Sequence, residues 1–257
     1  MQTRRANSAR WRSANRFQLN ALELDVTDDA SIERALAEAI AQTGRIDVLI
    51  NNAGYALFGL AEAATLEQAK RIIDTNFLGV VRMNRAVLPH MRRQGSGLLL
   101  HIGTGAGRVG VPGLGLYSAS KFALEALAEA YRYELASQGI ESVIVEPGAY
   151  VTAVFDNREE AIDQSRTSTY GAANEIPKRV LAALASSKAS PQEVVDSVVD
   201  LVELPAGNRP LRIPIGLPAI DGFGGLNYIS EQLLKNFLDM IGVSPLVAFQ
   251  AHGSSTD

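Results

Sequence analysis

Tyr117 and Lys121 stand four positions apart in the stretch YSASK, residues 117 to 121. At that spacing on a helix both side chains project from one face. A phenol titrates at roughly 10 and is a poor proton catalyst at neutral pH. A neighbouring ammonium favours the phenolate and lowers that value. A tyrosine tuned in this way can pass a proton to or from an alcohol or carbonyl oxygen. The same spacing also occurs on helix faces that meet only solvent, so the pair alone decides nothing.

The elements that would position the pair are legible as an alternation. ALELDV (21–26), IDVLI (46–50), GLLLHI (97–102), ESVIVEP (141–147) and LRIPI (211–215) read as strands. Between them SIERALAEAI (31–40) places Ile32, Ala35, Leu36, Ala39 and Ile40 on one helical face. Residues 65–91 carry an apolar stripe through Leu66, Ile73, Phe77, Val80, Val87 and Met91, with Thr65 and Gln68 as a capping box. Residues 117–136 read as a helix stopped near Gly139. Residues 190–204 read as another, with Ser190 as cap, Pro191 at its first position and Glu193 closing the box. A short terminal helix is expected around 230–241. Residues 153–189 lack strand signals and read as a flap over a site or as a plain surface excursion. Uninterrupted Val/Ile/Leu strands alternating with helices predict an α/β fold, a doubly wound parallel sheet with helices on both faces. Such sheets bind ligands beyond the carboxyl ends of their strands, where NNAG (51–54), Thr104 and PGAYVT (147–152) fall.

Composition narrows the function. The 257 residues are 47% hydrophobic and 20% charged, with net charge −4, which fits one globular domain and argues against nucleic acid as a partner. The chain has no cysteine, so disulfides and thiolate chemistry are excluded. No apolar run reaches the roughly 20 residues of a membrane span, and a cytoplasmic location is expected. Arg4, Arg5, Arg10, Arg12 and Arg16 all precede the first acid, Glu23. That is a transit-peptide composition, or a solvated arginine-rich loop. His90, His101 and His252 make no metal-spaced cluster, and His101 reads as a core residue. SASK matches the S-x-x-K of β-lactamases, but S-D-N, K-T-G and G-x-S-x-G are absent.

NNAG after a strand, Asn76 inside the next helix, Thr104, YSASK and the P-G-x-x-x-T of residues 147–152 together resemble the short-chain dehydrogenase/reductase family, and LDVTD (24–28) fits as well. The resemblance runs from about Ala21 to about Asp221. It implies an oxidoreductase that interconverts a secondary alcohol and a carbonyl by hydride transfer to or from NAD(P). By the resemblance Tyr117 is the general acid/base. Lys121 lowers its pKa and holds the nicotinamide ribose, and Asn76 orders a relay water. Thr104 holds the substrate oxygen where the family usually has serine, and its hydroxyl offers the same donor and acceptor. Asp25 and Val26 match contacts to the adenine. Asn51, Ala53 and Gly54 match the turn that supports the cofactor, and Pro147, Gly148 and Thr152 match contacts to the carboxamide. Helices 65–91 and 117–136 commonly pair the family into homodimers and homotetramers.

One family feature is not found. The glycine-rich phosphate loop should precede the strand at 46–50, yet no glycine occurs before Gly44. GAGRVG (105–110) spells G-x-G-x-x-G but runs into VPGLG instead of opening a helix. The chain is therefore expected to be a fragment or to carry a misplaced start. Strand 46–50 should then be an exposed edge, unless strand 21–26 slides across to pair with it. An inactive remnant or a dimerising binding module is the competing reading. Arg4 and Arg5 would sit where the family holds the 2′-phosphate, which favours NADP(H) over NAD(H). Phe155, Tyr170, Phe223, Leu226 and Tyr228 point to a small apolar substrate, although the same residues serve equally as core.

Overall fold

The computed structural model describes residues 19–216 and 220–250, so the five N-terminal arginines and His252 lie outside the described residues. In chain order the strands are β1 (Val48–Asn51), β2 (Leu57–Phe58), β3 (Gly97–Ile102), β4 (Ile140–Pro147), β5 (Glu159–Glu160) and β6 (Arg212–Ile215). The helices are α1 (Asp29–Thr43), α2 (Leu66–Ile73), α3 (Gly79–Gln94), α4 (Gly115–Glu134), α5 (Gln164–Thr167), α6 (Glu175–Ala185), α7 (Gln192–Glu203) and α8 (Ile220–Met240).

Four strands form a parallel sheet in the order β1-β3-β4-β6. Side chains alternate across a strand, and here both faces are covered. Leu98, Leu100, Val143 and Val145 pack against Val194, Val198 and Leu201 of α7. Leu99 and Ile140 pack against Val87, Leu88 and Met91 of α3. The chain is thus a doubly wound α/β sheet with a helical layer on each side.

The helices start and stop for local reasons. The Asp28 carboxylate accepts from the Ala30 amide at 3.1 Å to open α1, and Gly44 ends it in the left-handed region. Thr65 and Gln68 form the expected capping box of α2. The helix expected over 65–91 is interrupted by a π turn, Asp74–Leu78, between α2 and α3. A π turn holds one more residue than an α turn and re-aims the side chains within it, and this one contains the buried Asn76. GAGRVG forms a short 3-10 turn at Gly105–Gly107, and the next helix begins only at Gly115.

Four sequence expectations fail. Residues 21–26 are not a strand. A strand needs a ladder partner, and this segment instead leans on α3. A Cβ at Gly79 would lie 2.8 Å from Val26 Cγ2. Among the described residues β1 is therefore the edge of the sheet, and Ile50 is 46% exposed. Residues 153–189, which show no strand signal in the sequence, nevertheless contain a short strand. The Glu159 amide donates to the Ala56 carbonyl and Ala161 to Phe58, which pairs β5 with β2, and α6 follows. Glu193 does not close a box at α7, because its carboxylate accepts from the Tyr150 hydroxyl at 3.0 Å. The terminal helix begins at Ile220, where Gly222, Gly224 and Gly225 lower the helical propensity and hide its start.

Leu99 is fully buried between the sheet and α3, so Leu99→Ala should cost about 2–5 kcal/mol of unfolding free energy. Ile50→Ser at the open edge should stay within about 0.5 kcal/mol. Denaturant titration of both variants checks the pair, and equal losses would contradict the edge assignment.

Candidate active site

Thr104 lies just beyond β3 and Tyr117 in the first turn of α4, and their hydroxyls are hydrogen bonded. One helical turn on, the buried Lys121 ammonium donates to the Ile102 carbonyl at 2.8 Å. The three groups therefore meet at the carboxyl end of β3. The two serines of YSASK are structural. Ser118 Oγ accepts from the Val111 amide at 3.3 Å, and Ser120 Oγ donates to the Tyr117 carbonyl at 2.7 Å.

Burial dominates the electrostatics of the pair. Burial pushes the Tyr117 phenol up to about 12, and the only opposing effect is its bond to Thr104. Burial likewise pulls Lys121 down to about 8, against the field of Glu125. The Lys121 ammonium is turned towards the Ile102 carbonyl. The phenol is thus neutral at neutral pH, which suits a proton donor.

The Asn76 side chain is engaged at both ends of its amide. Its amide donates to the Tyr55 carbonyl at 2.9 Å and to Ser120 Oγ at 3.0 Å, while its oxygen accepts from the Tyr55 amide at 3.0 Å. Both amide hydrogens are spent, so the side chain is a clamp between the NNAG turn and α4. A Cβ at Gly54 would lie 2.9 Å from Asn76 Oδ1, which explains the glycine there.

Beneath that turn, Asn51 Nδ2 donates to Asn84 Oδ1 at 2.9 Å and lies 3.3 Å from His101 Nδ1. His101 Nδ1 is then the acceptor, and the ring's proton sits on Nε2, which is buried without a partner. Burial, with the Lys121 field behind it, pulls His101 down to about 3. His101 is a core histidine, as its strand position implied.

The remaining cofactor candidates divide. Val26, Asn51 and Ala53 line a cleft at the carboxyl end of β1, together with Leu24, Ile50 and Thr75. Asp25 does not line it. Its carboxylate closes a local turn on the Thr27 amide and hydroxyl, at 2.8 and 2.7 Å, and that bond to the amide holds it below the usual carboxylate range. Pro147 and Gly148 end β4, where the Gly148 amide donates to the Ile215 carbonyl at 2.8 Å. Thr152 is exposed and accepts weakly from the Val154 amide.

The apolar wall around Tyr117 was missed in the sequence. It is built by Ala56, Phe58, Leu114 and Val154, with Val180, Leu181 and Leu184 of α6. The helical period of IPKRVLAALA was a usable signal for it. Of the aromatic candidates, Tyr170 is tied to Glu62 at 2.8 Å and Tyr228 is 65% exposed, and neither belongs to that wall.

Comparison with known proteins bears on this arrangement. The short chain dehydrogenase family model matches residues 2–163. The chain belongs to the short-chain dehydrogenase family. Within it, the chain is 42% identical over 151 residues to a 3-ketodihydrosphingosine reductase of Bacteroides thetaiotaomicron, covering 59% of this chain and 56% of that one. It thus spans little more than half of that relative. It is 33% identical over 233 residues to human 17-beta-hydroxysteroid dehydrogenase type 1, covering 86% of this chain and 70% of that one. Among solved structures, a short-chain dehydrogenase from Streptomyces avermitilis matches with TM-score 0.71 and 30% identity, covering 87% and 80% of the two chains.

The folded His101 pKa of about 3 lies below its ordinary 6.5. The stability it contributes is therefore full above pH 6.5 and is lost as pH falls towards 3. His101→Gln should remove that limb. The wild-type advantage should shrink by up to about 1.4 kcal/mol per pH unit below that point, as read from urea unfolding across pH. A pH-independent difference would contradict the neutral buried ring.

Proposed function

We propose that the chain is an NAD(P)-dependent oxidoreductase that interconverts a secondary alcohol and a carbonyl, with Tyr117 as proton donor and acceptor. The observation that carries this reading is the convergence of the Thr104 and Tyr117 hydroxyls with the Lys121 ammonium at the end of β3. A carbonyl oxygen set between the two hydroxyls would receive a hydrogen bond from Thr104 and the proton from Tyr117. A neutral phenol is the form that donates the proton when a carbonyl is reduced.

The residues present fit the nicotinamide end of a dinucleotide. Lys121 spends one of its three donors on Ile102, which leaves two for ribose hydroxyls in a site already dry. Val26, Asn51 and Ala53 border the cleft in which the adenine end would lie, with Gly54 backing the turn. Asp25 would contribute there through its backbone, since its carboxylate is engaged. Pro147, Gly148 and Thr152 would frame the carboxamide. When bound, the dinucleotide supplies or accepts the hydride. The chain's own residues orient the oxygen, move the proton and exclude water. NADP(H) is favoured over NAD(H), on the strength of Arg4 and Arg5 in the sequence and of a solved relative, 29% identical with TM-score 0.60, whose structure holds NADP+.

The wall of Phe58, Leu114, Val180, Leu181 and Leu184 supports an apolar substrate. The names of two relatives agree, one a keto-sphingoid and the other a hydroxysteroid enzyme. Turnover confined to small polar sugars would refute that part. Pairing of copies through α3 and α4 completes the reading, and light scattering that finds a monomer would remove it.

Tyr117→Phe tests the mechanism. It should lower turnover at least about 100-fold, the typical worth of a positioned proton donor, and leave NADPH affinity within about twofold. NADPH and NADH affinities come from nucleotide fluorescence. Undiminished turnover in the variant would refute the relay, and a folded chain that binds neither nucleotide would favour a binding module over an enzyme.

A further inference from the structure

Glu125 follows Lys121 by one helical turn, as Lys121 follows Tyr117, so all three share one face of α4. Its side chain is 3% exposed. Glu125 Oε2 accepts from Arg212 Nε of β6 at 3.0 Å, and the same guanidinium reaches Glu129 at 3.1 Å. Arg212 Nε also lies 3.7 Å from Glu146 Oε1 on β4. Glu125 Oε1 is buried with no hydrogen-bond partner. A Cβ at Gly103 would lie 2.8 Å from that oxygen. Gly103 adjoins Ile102, whose carbonyl holds Lys121. The unpaired oxygen therefore lies against the same strand end as the ammonium.

Arg212 holds Oε2, and the second oxygen, Oε1, faces the strand end where the Lys121 ammonium sits, one helical turn back on the same face of α4. We propose that Glu125 is the positioning residue for Lys121, fixing the charge and orientation of the ammonium from one turn behind. Proton transfer is the business of Tyr117, and Glu125 touches neither substrate nor cofactor. The inference rests on Lys121 being the cofactor-facing lysine of the reading above.

The groups that face Glu125 come from every neighbouring element. They are Lys121 on α4, Arg108 beyond β3, Glu146 on β4 and Arg212 on β6, while Glu129 of α4 shares the Arg212 guanidinium and His101 of β3 feels Lys121. Helix α8 is tied to the same cluster. Asn227 donates to Glu146 at 2.8 Å, and Arg108 donates to Asn227 at 3.0 Å and Ser230 at 2.8 Å. Glu231 of α8 adds a further negative field on Glu146. Desolvation, then Glu146, raise Glu125 to about 7, while Arg212 opposes them.

The test is a pH titration of the lysine side-chain carbons by NMR, on the full chain without nucleotide or substrate. In Glu125→Gln the Lys121 midpoint should fall below its wild-type position. By reciprocity, Lys121→Met should raise the midpoint of the Glu125 carboxyl carbon by the same amount. Should Glu125→Gln fail to fold, the second variant decides alone. Unmoved midpoints overturn the proposal, because a residue that only packs would leave them in place. The readout needs no turnover, so an inactive chain would refute the enzymatic reading and leave this result to stand by itself.

Discussion

Helix α4 approaches the carboxyl end of β3 so closely that no side chain fits between them. A Cβ at Gly103 would collide with Glu125, and one at Gly107 would lie 3.2 Å from Lys121 Cβ. The rest of the site follows from that approach. It removes Lys121 and Glu125 from water, and it brings Tyr117 within reach of Thr104. It also places the Ile102 carbonyl where the ammonium must find it. Gly107 is therefore a packing glycine, which is why a phosphate-loop spelling can occur here without the phosphate-loop geometry.

Such closeness has an electrostatic cost. Burying an ion costs several kcal/mol unless partners replace its water. Around α4 the replacement is incomplete. Glu125, Glu146 and Arg212 each retain a buried polar atom without a partner. Hydrophobic residues of similar volume would pack there more cheaply. The same low-dielectric surroundings set the chemistry, because the burial that taxes the cluster also keeps the Tyr117 phenol protonated and brings Lys121 down towards neutrality. Stability and reactivity are thus governed by one variable, the dryness of the α4 face.

The sequence carried this arrangement unevenly. Strand 97–102 and the Thr65–Gln68 box were legible because both are local patterns, read from period and capping chemistry alone. The strand expected at 21–26 was not, since its alternation says nothing about whether a ladder partner lies beside it. The π turn at Asn76 has no sequence period of its own, so the interruption of helix 65–91 was invisible. Strand β5 is two residues long and exists only because Ala56 and Phe58 offer their carbonyls. Tyr117 and Lys121 drew notice by their spacing, but their roles, and Thr104 altogether, came only from the family resemblance. Glu125 was missed because a glutamate inside ALEALAEA reads as solvated until β4 and β6 close over it.

Among the described residues the open edge of the sheet and the cleft at the end of β1 are the same place. Ile50, with Leu24 beside it, is both exposed and a wall of the cleft at the end of β1. On the same face of the sheet Val195, Val199 and Val202 leave one flank of α7 uncovered. Apolar surface left in water costs about 25 cal/mol per Å² relative to burial, so whatever seats against β1 gains from covering it. A ligand held only by the folded chain stabilises that fold by mass action. Occupancy of the cleft and integrity of the β1 edge are therefore coupled. The β1 end of the site should be its least stable part, whereas the Tyr117 end, locked by α4, should not depend on occupancy of the cleft at all.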